Sequence, residues 1–253
     1  MEIDKELVGQ RFAKHYEEYQ ECATVQRDIA TRLAASIAEC CPETRIAQAL
    51  EIGMGTGFLS RRLARLYPDA HWYFNDLVTE AQAWIPQHLA HQEALMGDAE
   101  LLDLPMGSDI VASASALQWL RDLDAFFLRV KQSLTQQGIF AFSSFGPMHM
   151  MELRTLTGLG LDYPSLTEMQ TKLEIAGFTI IHQAEWQQVL SFSTARQVLE
   201  HLRQTGVNST AAQTWTPRKL LHFCKQYEQQ FRAEDGSLPL SYHPILFIAQ
   251  KTT

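Results

Sequence analysis

AQALEIGMGTGF, residues Ala47–Phe58, is the stretch that decides the fold. Ala47, Ala49, Leu50 and Ile52 make a short apolar run of strand character, and Gly53, Gly55 and Gly57 follow at alternate positions. Beyond them Leu59, Leu63, Leu66 and Tyr67 recur at helical spacing, with Arg61, Arg62 and Arg65 on the other faces, until Pro68 ends the run. Strand, glycine turn and helix form the opening unit of an α/β nucleotide-type site, where glycines let the backbone approach a ligand closely.

The ligand follows from two details. A dinucleotide fingerprint needs glycine or alanine at the sixth position from Gly53, and Phe58 stands there. Glu51, on the strand just before the turn, would repel a pyrophosphate held at the helix N-terminus and suits a ligand whose nearest groups are cationic. S-adenosylmethionine is such a ligand, with a sulfonium, an α-ammonium and no phosphate. The string LEIGMGTG resembles motif I of the class I S-adenosylmethionine-dependent methyltransferases.

Working outward, HWYFND (residues 71–76) reads as a second strand ending in Asp76, an acid placed to accept both ribose hydroxyls, with Asn75 as the rival for that role. Ala81, Trp84, Ile85 and Leu89 suggest a helix, and Leu95 and Met96 a short third strand before the turn GDAE. SDIVAS (residues 108–113) is the fourth strand. Its C-terminal end borders the reaction centre at the topological switch, near Ser113, Leu117, Gln118 and Trp119, although Trp119 suits core packing as well. Residues 122–134 read as a helix and GIFAFSSF (residues 138–145) as the fifth strand; residues 177–181 and 240–249 supply the sixth and seventh. Two helical segments lie between them, one marked by Val198, Leu199 and Leu202, the other by Leu220, Phe223, Tyr227 and Phe231 with Pro217 in its first turn. That insertion exceeds what neighbouring strands need and is expected to build the substrate end of the site.

Residues 1–40 read as helical, with Val25, Ile29, Leu33 and Ile37 on one face and Thr24 as N-cap; they form either a helix docked on the sheet or a lid over the ligand. The expected architecture is therefore a single α/β domain over residues 1–253. It is Rossmann-like, with a seven-stranded, mostly parallel sheet, helices on both faces, an N-terminal helical lid (1–40) and a helical insertion (189–236) before the last strand. At 253 residues and 46% hydrophobic the chain can bury a full core. It contains no 18-residue apolar run and no signal-like N-terminus, so neither a membrane span nor export is expected. Cys22, Cys40, Cys41 and Cys224 include no C-x-x-C pair and read as thiols of a reducing cytoplasm. The histidines show no ligand-like clustering, and no metal is expected. A formal charge of −8 argues against nucleic acid as a partner. Residues 189–232 run the other way, with six basic and two acidic side chains. That local +4 leaves −12 on the remainder and reads as a face for an anionic partner or as a solvated helical surface.

FAKHYEEYQECATVQR, LEIGMGTGFLS, GDAE, SALQWL, GIFAFSSFG followed by EL, HLRQTGVNS and GSLPLSYH occur in this order from Phe12 to His243. Together they resemble the biotin-pathway malonyl-acyl-carrier-protein O-methyltransferases. Met54 stands where that family usually has cysteine and Ala114 where asparagine is common; neither position needs its side chain for chemistry. The resemblance implies methylation of the free carboxylate of a malonyl thioester on acyl carrier protein, an acidic protein that would meet the basic insertion. It also implies that Asp98 meets the adenine amino group with Ala99 beside the ring. Gln26, Glu51, Gly53, Gly55, Gly57, Asp76, Leu77 and Ser113 would complete the cofactor site. On the substrate side it points to Tyr19, Gln118, Tyr242 and His243, although His243 suits a structural role at the strand start equally well. Arg203, in HLRQTG, is the candidate to orient the malonyl carboxylate, because a planar guanidinium can hold one oxygen and leave the other free; an exposed, solubilising arginine is the alternative. A malonyl carboxylate is ionised at neutral pH, so no acid–base dyad is needed, and none is evident.

Overall fold

The computed structural model describes residues 3–42, 44–206 and 216–252. Three helices open the chain: α1 (Lys5–Lys14), α2 (Tyr16–Cys22) and α3 (Thr24–Cys40). Asp4 caps the first of them by accepting from the Leu7 amide at 3.0 Å. Thr24 is the first residue of α3 rather than its cap. The Ala23 amide still bonds back to Tyr19, so α2 runs into α3 and leaves no separate N-terminus to cap.

The strand–turn–helix unit follows as β1 (Gln48–Ile52), the glycine loop and α4 (Ser60–Leu66), then β2 (His71–Asp76). The helix expected around Ala81–Leu89 is only a 3-10 stretch, Thr79–Trp84. Pro86 disfavours the helical conformation at Ile85, which is extended at φ −61°, ψ 133°. Next come β3 (Gln92–Met96), β4 (Ser108–Ala114), a short 3-10 turn Leu117–Trp119, α5 (Leu123–Ser133), β5 (Leu134–Phe145), α6 (Met151–Thr157) and α7 (Leu166–Ile175). After β6 (Phe178–Glu185) the chain makes β7 (Gln188–Phe192), α8 (Ala195–Gln204), α9 (Pro217–Phe231) and β8 (Leu238–Tyr242), and then returns as β9 (Pro244–Lys251).

The main sheet has the order β3-β2-β1-β4-β5-β9-β6. The first five strands pair in parallel, and β9 enters antiparallel between β5 and β6. The strand expected over residues 240–249 is thus two strands broken at His243. Residues up to Tyr242 pair with β7 in a separate two-stranded sheet, and Pro244 begins the pairing with β5.

Side-chain alternation divides the core. Ile139 and Ala141 of β5 face one side with Leu33 and Ile37 of α3 and Leu63 of α4. Phe140 and Phe142 face the other with Phe126, Phe127 and Val130 of α5 and Met169 and Leu173 of α7. A third cluster ties the insertion to the body. Val198 and Leu202 of α8, Phe223 and Tyr227 of α9, and Leu240 and Tyr242 of β8 pack with Val25 and Ile29 of α3 and Phe145 of β5. The insertion and the start of α3 therefore meet above the C-terminal end of β5, where the sheet's parallel strands deliver their loops.

Candidate active site

A cleft of about 1010 Å³ opens at the C-terminal ends of β1, β2 and β4. Glu51, Gly53 and Gly55 form its floor, Asp76 and Leu77 one side, Asp98 and Ala99 the far end. Gly53 has φ +67°, and a Cβ there would lie 2.4 Å from the Ala116 Cβ, so only glycine lets the β1 and β4 loops close on each other. Asp76 is buried beneath the loop. Its Oδ2 accepts from the Gly55 amide at 2.7 Å and its Oδ1 from the Val78 amide at 2.9 Å, with the Tyr16 hydroxyl at 3.5 Å. Burial raises this carboxyl above the usual range, and the amide donors oppose the rise. Asn75, the rival for the ribose, also lines the cleft; its Nδ2 donates to the Leu95 carbonyl at 2.7 Å and the Gly97 carbonyl at 3.0 Å, which leaves its uncharged Oδ1 as the acceptor it could offer.

Glu51 is 1% exposed, and its Oε2 has no hydrogen-bond partner among the described residues. Burial pushes its carboxyl up to about 8; Ser60 and Arg61 oppose that rise and Asp76 adds to it. An unpartnered buried acid at the cleft floor fits a ligand that brings positive charge. Lys5 is the one lysine or arginine lining this cleft among the described residues, and it is already engaged with Asp98 at 2.5 Å and with Glu100. Lys5 and the Glu100 amide outweigh the burial of Asp98 and hold its carboxyl low. The glycine cradle, the unpartnered Glu51, the buried Asp76 and the lack of a free cation fit S-adenosylmethionine, and they do not fit a phosphate-bearing cofactor.

This fit yields an expected result. In the ligand-free protein at pH 7 Glu51 is mostly protonated, and a cation beside it favours the ionised form. Binding of S-adenosylhomocysteine, which keeps the α-ammonium, should release close to ~1 proton at pH 7. Calorimetry in buffers of different ionisation enthalpy reads this directly. Glu51→Gln should abolish the release; an unchanged release would remove Glu51 from the ammonium.

The N-terminal helices supply more of the wall than the sequence suggested. Lys5, Val8, Gly9 and Phe12 of α1, Tyr16 and Tyr19 of α2, and Gln26 and Ala30 of α3 all line the cleft. Tyr19 stacks on Phe58 at 5.8 Å, with Phe12 edge-on to it.

Behind Tyr19 lies a smaller cavity of about 340 Å³, sharing Phe12, Tyr19, Gln26, Ser115 and Trp119 with the cleft and closed by Gln118, Phe145, His149, Tyr163 and Thr205. Ser115 takes the place expected of Ser113. The Ser113 hydroxyl is buried in the sheet and donates to the Ile52 carbonyl at 2.9 Å, whereas Ser115, at φ +55°, turns into the cavity. Gln118 is held by donation from its Nε2 to the Ser115 carbonyl at 2.6 Å.

Besides Ser113, four expected site residues stand elsewhere. Gly57 does not line either cavity and packs against the Trp84 carbonyl. Arg203 lies on the solvent face of α8, 45% exposed, bonded through Nε and Nη2 to Glu200 one turn earlier. The buried face of that helix carries Ala195, Val198, His201 and Leu202, which leaves Arg203 pointing away. Tyr242 is fully buried with its hydroxyl 2.8 Å from His201 Nε2, and its ring lies edge-on to His149. His243 pairs through Nε2 with Glu185 at 3.1 Å, and its Nδ1 accepts from the Met148 amide at 3.2 Å. Both brace the turn between β5 and α6 rather than line a substrate mouth. Sequence reasoning assigned no role to Lys5, Phe12, Tyr16, Ser115, His149, Tyr163 and Thr205; Phe12, Tyr16, Ser115 and Thr205 lie within the quoted strings, whereas Lys5, His149 and Tyr163 lie in none. The expected string HLRQTGVNS continues past Gly206 into residues outside those described.

Residues 50–142 match the family described as a methyltransferase domain. The malonyl-acyl-carrier-protein O-methyltransferase of Bacteroides helcogenes is 38% identical over 272 residues, covering 98% of this chain and 99% of that protein. The chain belongs to the malonyl-acyl-carrier-protein O-methyltransferase family. Its relative in Bacteroides fragilis is 40% identical over 248 residues, a match that covers 98% of this chain but 50% of that protein, so the chain spans half the length of that relative. Among solved structures, the YcgJ protein of Bacillus subtilis resembles it at a TM-score of 0.65 and 16% identity, over 88% of this chain and 99% of that one. That likeness concerns the fold alone. Membership of the methyltransferase family accords with the cleft as read from its own residues.

Proposed function

We infer that the chain transfers the methyl group of S-adenosylmethionine to the free carboxylate of a malonyl group carried on acyl carrier protein, making the methyl ester used in biotin synthesis. The observation that carries this reading is the pairing of the two cavities: a cleft suited to a cationic nucleoside and, through shared walls at Tyr19 and Gln26, a small polar chamber without an acid–base dyad. S-adenosylmethionine supplies, when bound, a methyl group made electrophilic by the sulfonium. Glu51 would face its ammonium, Asp76 its ribose, and Asp98 with Ala99 its adenine. Phe12, Tyr19 and Trp119 belong to the wall that chamber and cleft share, so a carboxylate held in the chamber would lie beside the cofactor, where alignment and loss of water favour transfer. The titratable groups lining the chamber, among the described residues, are Tyr19, His149 and Tyr163. Burial raises both tyrosines and lowers the histidine, keeping each of them neutral near pH 7. Burial makes the one imidazole there, His149, a weaker base, and a malonyl carboxylate needs no base at all.

Carrier protein is an acidic partner, and the basic insertion offers it a face. Arg196 of α8 and Arg218, Lys219 and Lys225 of α9 are exposed, while Arg203 and Arg232 pair with Glu200 and Glu228. Reversing Arg218 and Lys219 to Glu should raise KM for malonyl-carrier protein about tenfold at low salt, less at 0.5 M, and change methylation of malonyl-CoA less. Assay of malonyl-carrier protein, malonyl-CoA and free malonate with labelled S-adenosylmethionine tests both points. Label on no malonyl substrate refutes the reaction, and equal losses on protein and CoA substrates move the docking face elsewhere.

A further inference from the structure

The chamber behind Tyr19 holds an unusual concentration of unspent polar atoms. Gln26 Oε1, Ser115 Oγ, Gln118 Oε1 and His149 Nδ1 are all buried without a hydrogen-bond partner among the described residues, and all four side chains line this one cavity. Buried polar groups are ordinarily paired, because an unpaired one has given up its water for nothing. Four around a single chamber mark a place kept for a polar guest.

His149 is the most deliberately mounted of them. Its ring is 1% exposed, stacks on Phe145 with centroids 3.8 Å apart, and meets Tyr163 and Tyr242 edge-on at 5.0 and 5.1 Å. The turn that carries it is pinned to the β8–β9 corner: the Gly146 amide donates to the His243 carbonyl at 2.7 Å, the Met150 amide to the Ser241 carbonyl at 2.7 Å, and the Met148 amide to His243 Nδ1. Three aromatic contacts and three hydrogen bonds thus fix an imidazole that itself binds nothing through Nδ1.

Among the described residues no lysine or arginine lines the chamber. Arg154 does not line it: this side chain donates to the Pro147 carbonyl and lies over the Tyr163 ring, 5.7 Å from the centroid. The absence of a cation suits the chemistry. A carboxylate oxygen loses its charge as it takes a methyl group, so a strong cationic clamp would favour the reactant over the transition state. Uncharged donors orient the anion and leave it nucleophilic.

Resting on the malonyl reading above, we propose that His149 is a substrate-binding residue whose imidazole N–H donates to the malonyl carboxylate, with Gln26, Ser115 and Gln118 completing an uncharged carboxylate pocket. It follows that specificity for a malonyl over an acetyl thioester resides in this turn and not in the arginines of the insertion.

The deciding variants are His149→Phe and His149→Leu, which keep an apolar side chain in the stack and remove the donor, against His149→Asn and His149→Gln, which restore an amide N–H. With malonyl-CoA and malonyl-carrier protein as substrates, His149→Phe should lower kcat/KM at least tenfold on both, while one of the amide variants recovers to within a few-fold of wild type. Affinity for S-adenosylhomocysteine should stay within twofold, and Tm should hold or rise, since an unpaired buried nitrogen has been removed. A structural histidine would instead lower Tm and cofactor affinity together. Near-normal kcat/KM in folded His149→Phe or His149→Leu overturns the proposal, as does a loss that neither amide restores. Wild-type protein inactive on every malonyl substrate would overturn the function itself, a distinct result.

Discussion

Asp76→Ala should weaken binding of S-adenosylmethionine and S-adenosylhomocysteine by ~3 kcal/mol, about 100-fold, more than a single lost hydrogen bond would. The carboxylate has two duties. One oxygen accepts from the Gly55 amide and so holds the glycine loop down on β2; the other accepts from the Val78 amide and the Tyr16 hydroxyl. That leaves one acceptor site on Oδ2, in a residue that lines the cleft where a ribose would lie. Alanine removes the ribose acceptor and leaves two buried amides without partners, so loop and ligand are lost together. Asp76→Asn should fall between, because one oxygen still accepts while an NH2 now opposes a donor. Calorimetry with S-adenosylhomocysteine measures both. Unchanged affinity in folded Asp76→Ala would remove the ribose from this residue and move its acceptor to the Oδ1 of Asn75, which the two bonds donated by Nδ2 do not use.

Gly53→Ala should be the more damaging change to the protein itself, costing ~3–5 kcal/mol of stability from overpacking and a left-handed backbone together. Its new Cβ would sit 2.4 Å from the Ala116 Cβ, at φ +67°, so the β1 and β4 loops must separate. Gly55→Ala is the control. It also has positive φ, +52°, but a Cβ there meets no protein atom within 4 Å, so its stability cost should be only ~1–2 kcal/mol. Because that Cβ enters the cleft, Gly55→Ala should still impair cofactor binding. Thermal unfolding with a cofactor titration separates the two. Equal Tm losses would mean that the contact with Ala116 relaxes freely.

The sheet and the cofactor half of the site were legible in the sequence because both are local. Apolar runs ended by glycine, acid or serine gave β1, β2, β4 and β5, and the acids in or just after β1, β2 and β3, Glu51, Asp76 and Asp98, line one cleft. The substrate half was not legible, since His149 and Tyr163 come from separate loops and carry no spacing, and Thr205, though inside HLRQTG, stands at the end of α8, where nothing local shows which way it turns. Ser115 was missed by two positions for a backbone reason: a serine at φ +55° bends the chain where no glycine announces it. Arg203 misled because recognition chemistry was weighed without its partner. Glu200, three residues earlier on the same helix, satisfies the guanidinium at the surface.

The antiparallel β9 has a consequence for how the chain is made. Because it lies between β5 and β6, the strand IFAFSSF of β5 has one unpaired, strongly apolar edge until Pro244–Lys251 has been synthesised. A nascent chain can assemble β3-β2-β1-β4-β5 on its own, yet the two halves of the sheet close only when the late strand slides in with both ladders at once. Loss of residues from Pro244 onward would therefore leave the glycine loop and every acid of the cleft in the sequence, attached to a sheet whose edge is now the apolar β5, with β6 left without a neighbour. Such a product would be lost to aggregation rather than to failed chemistry.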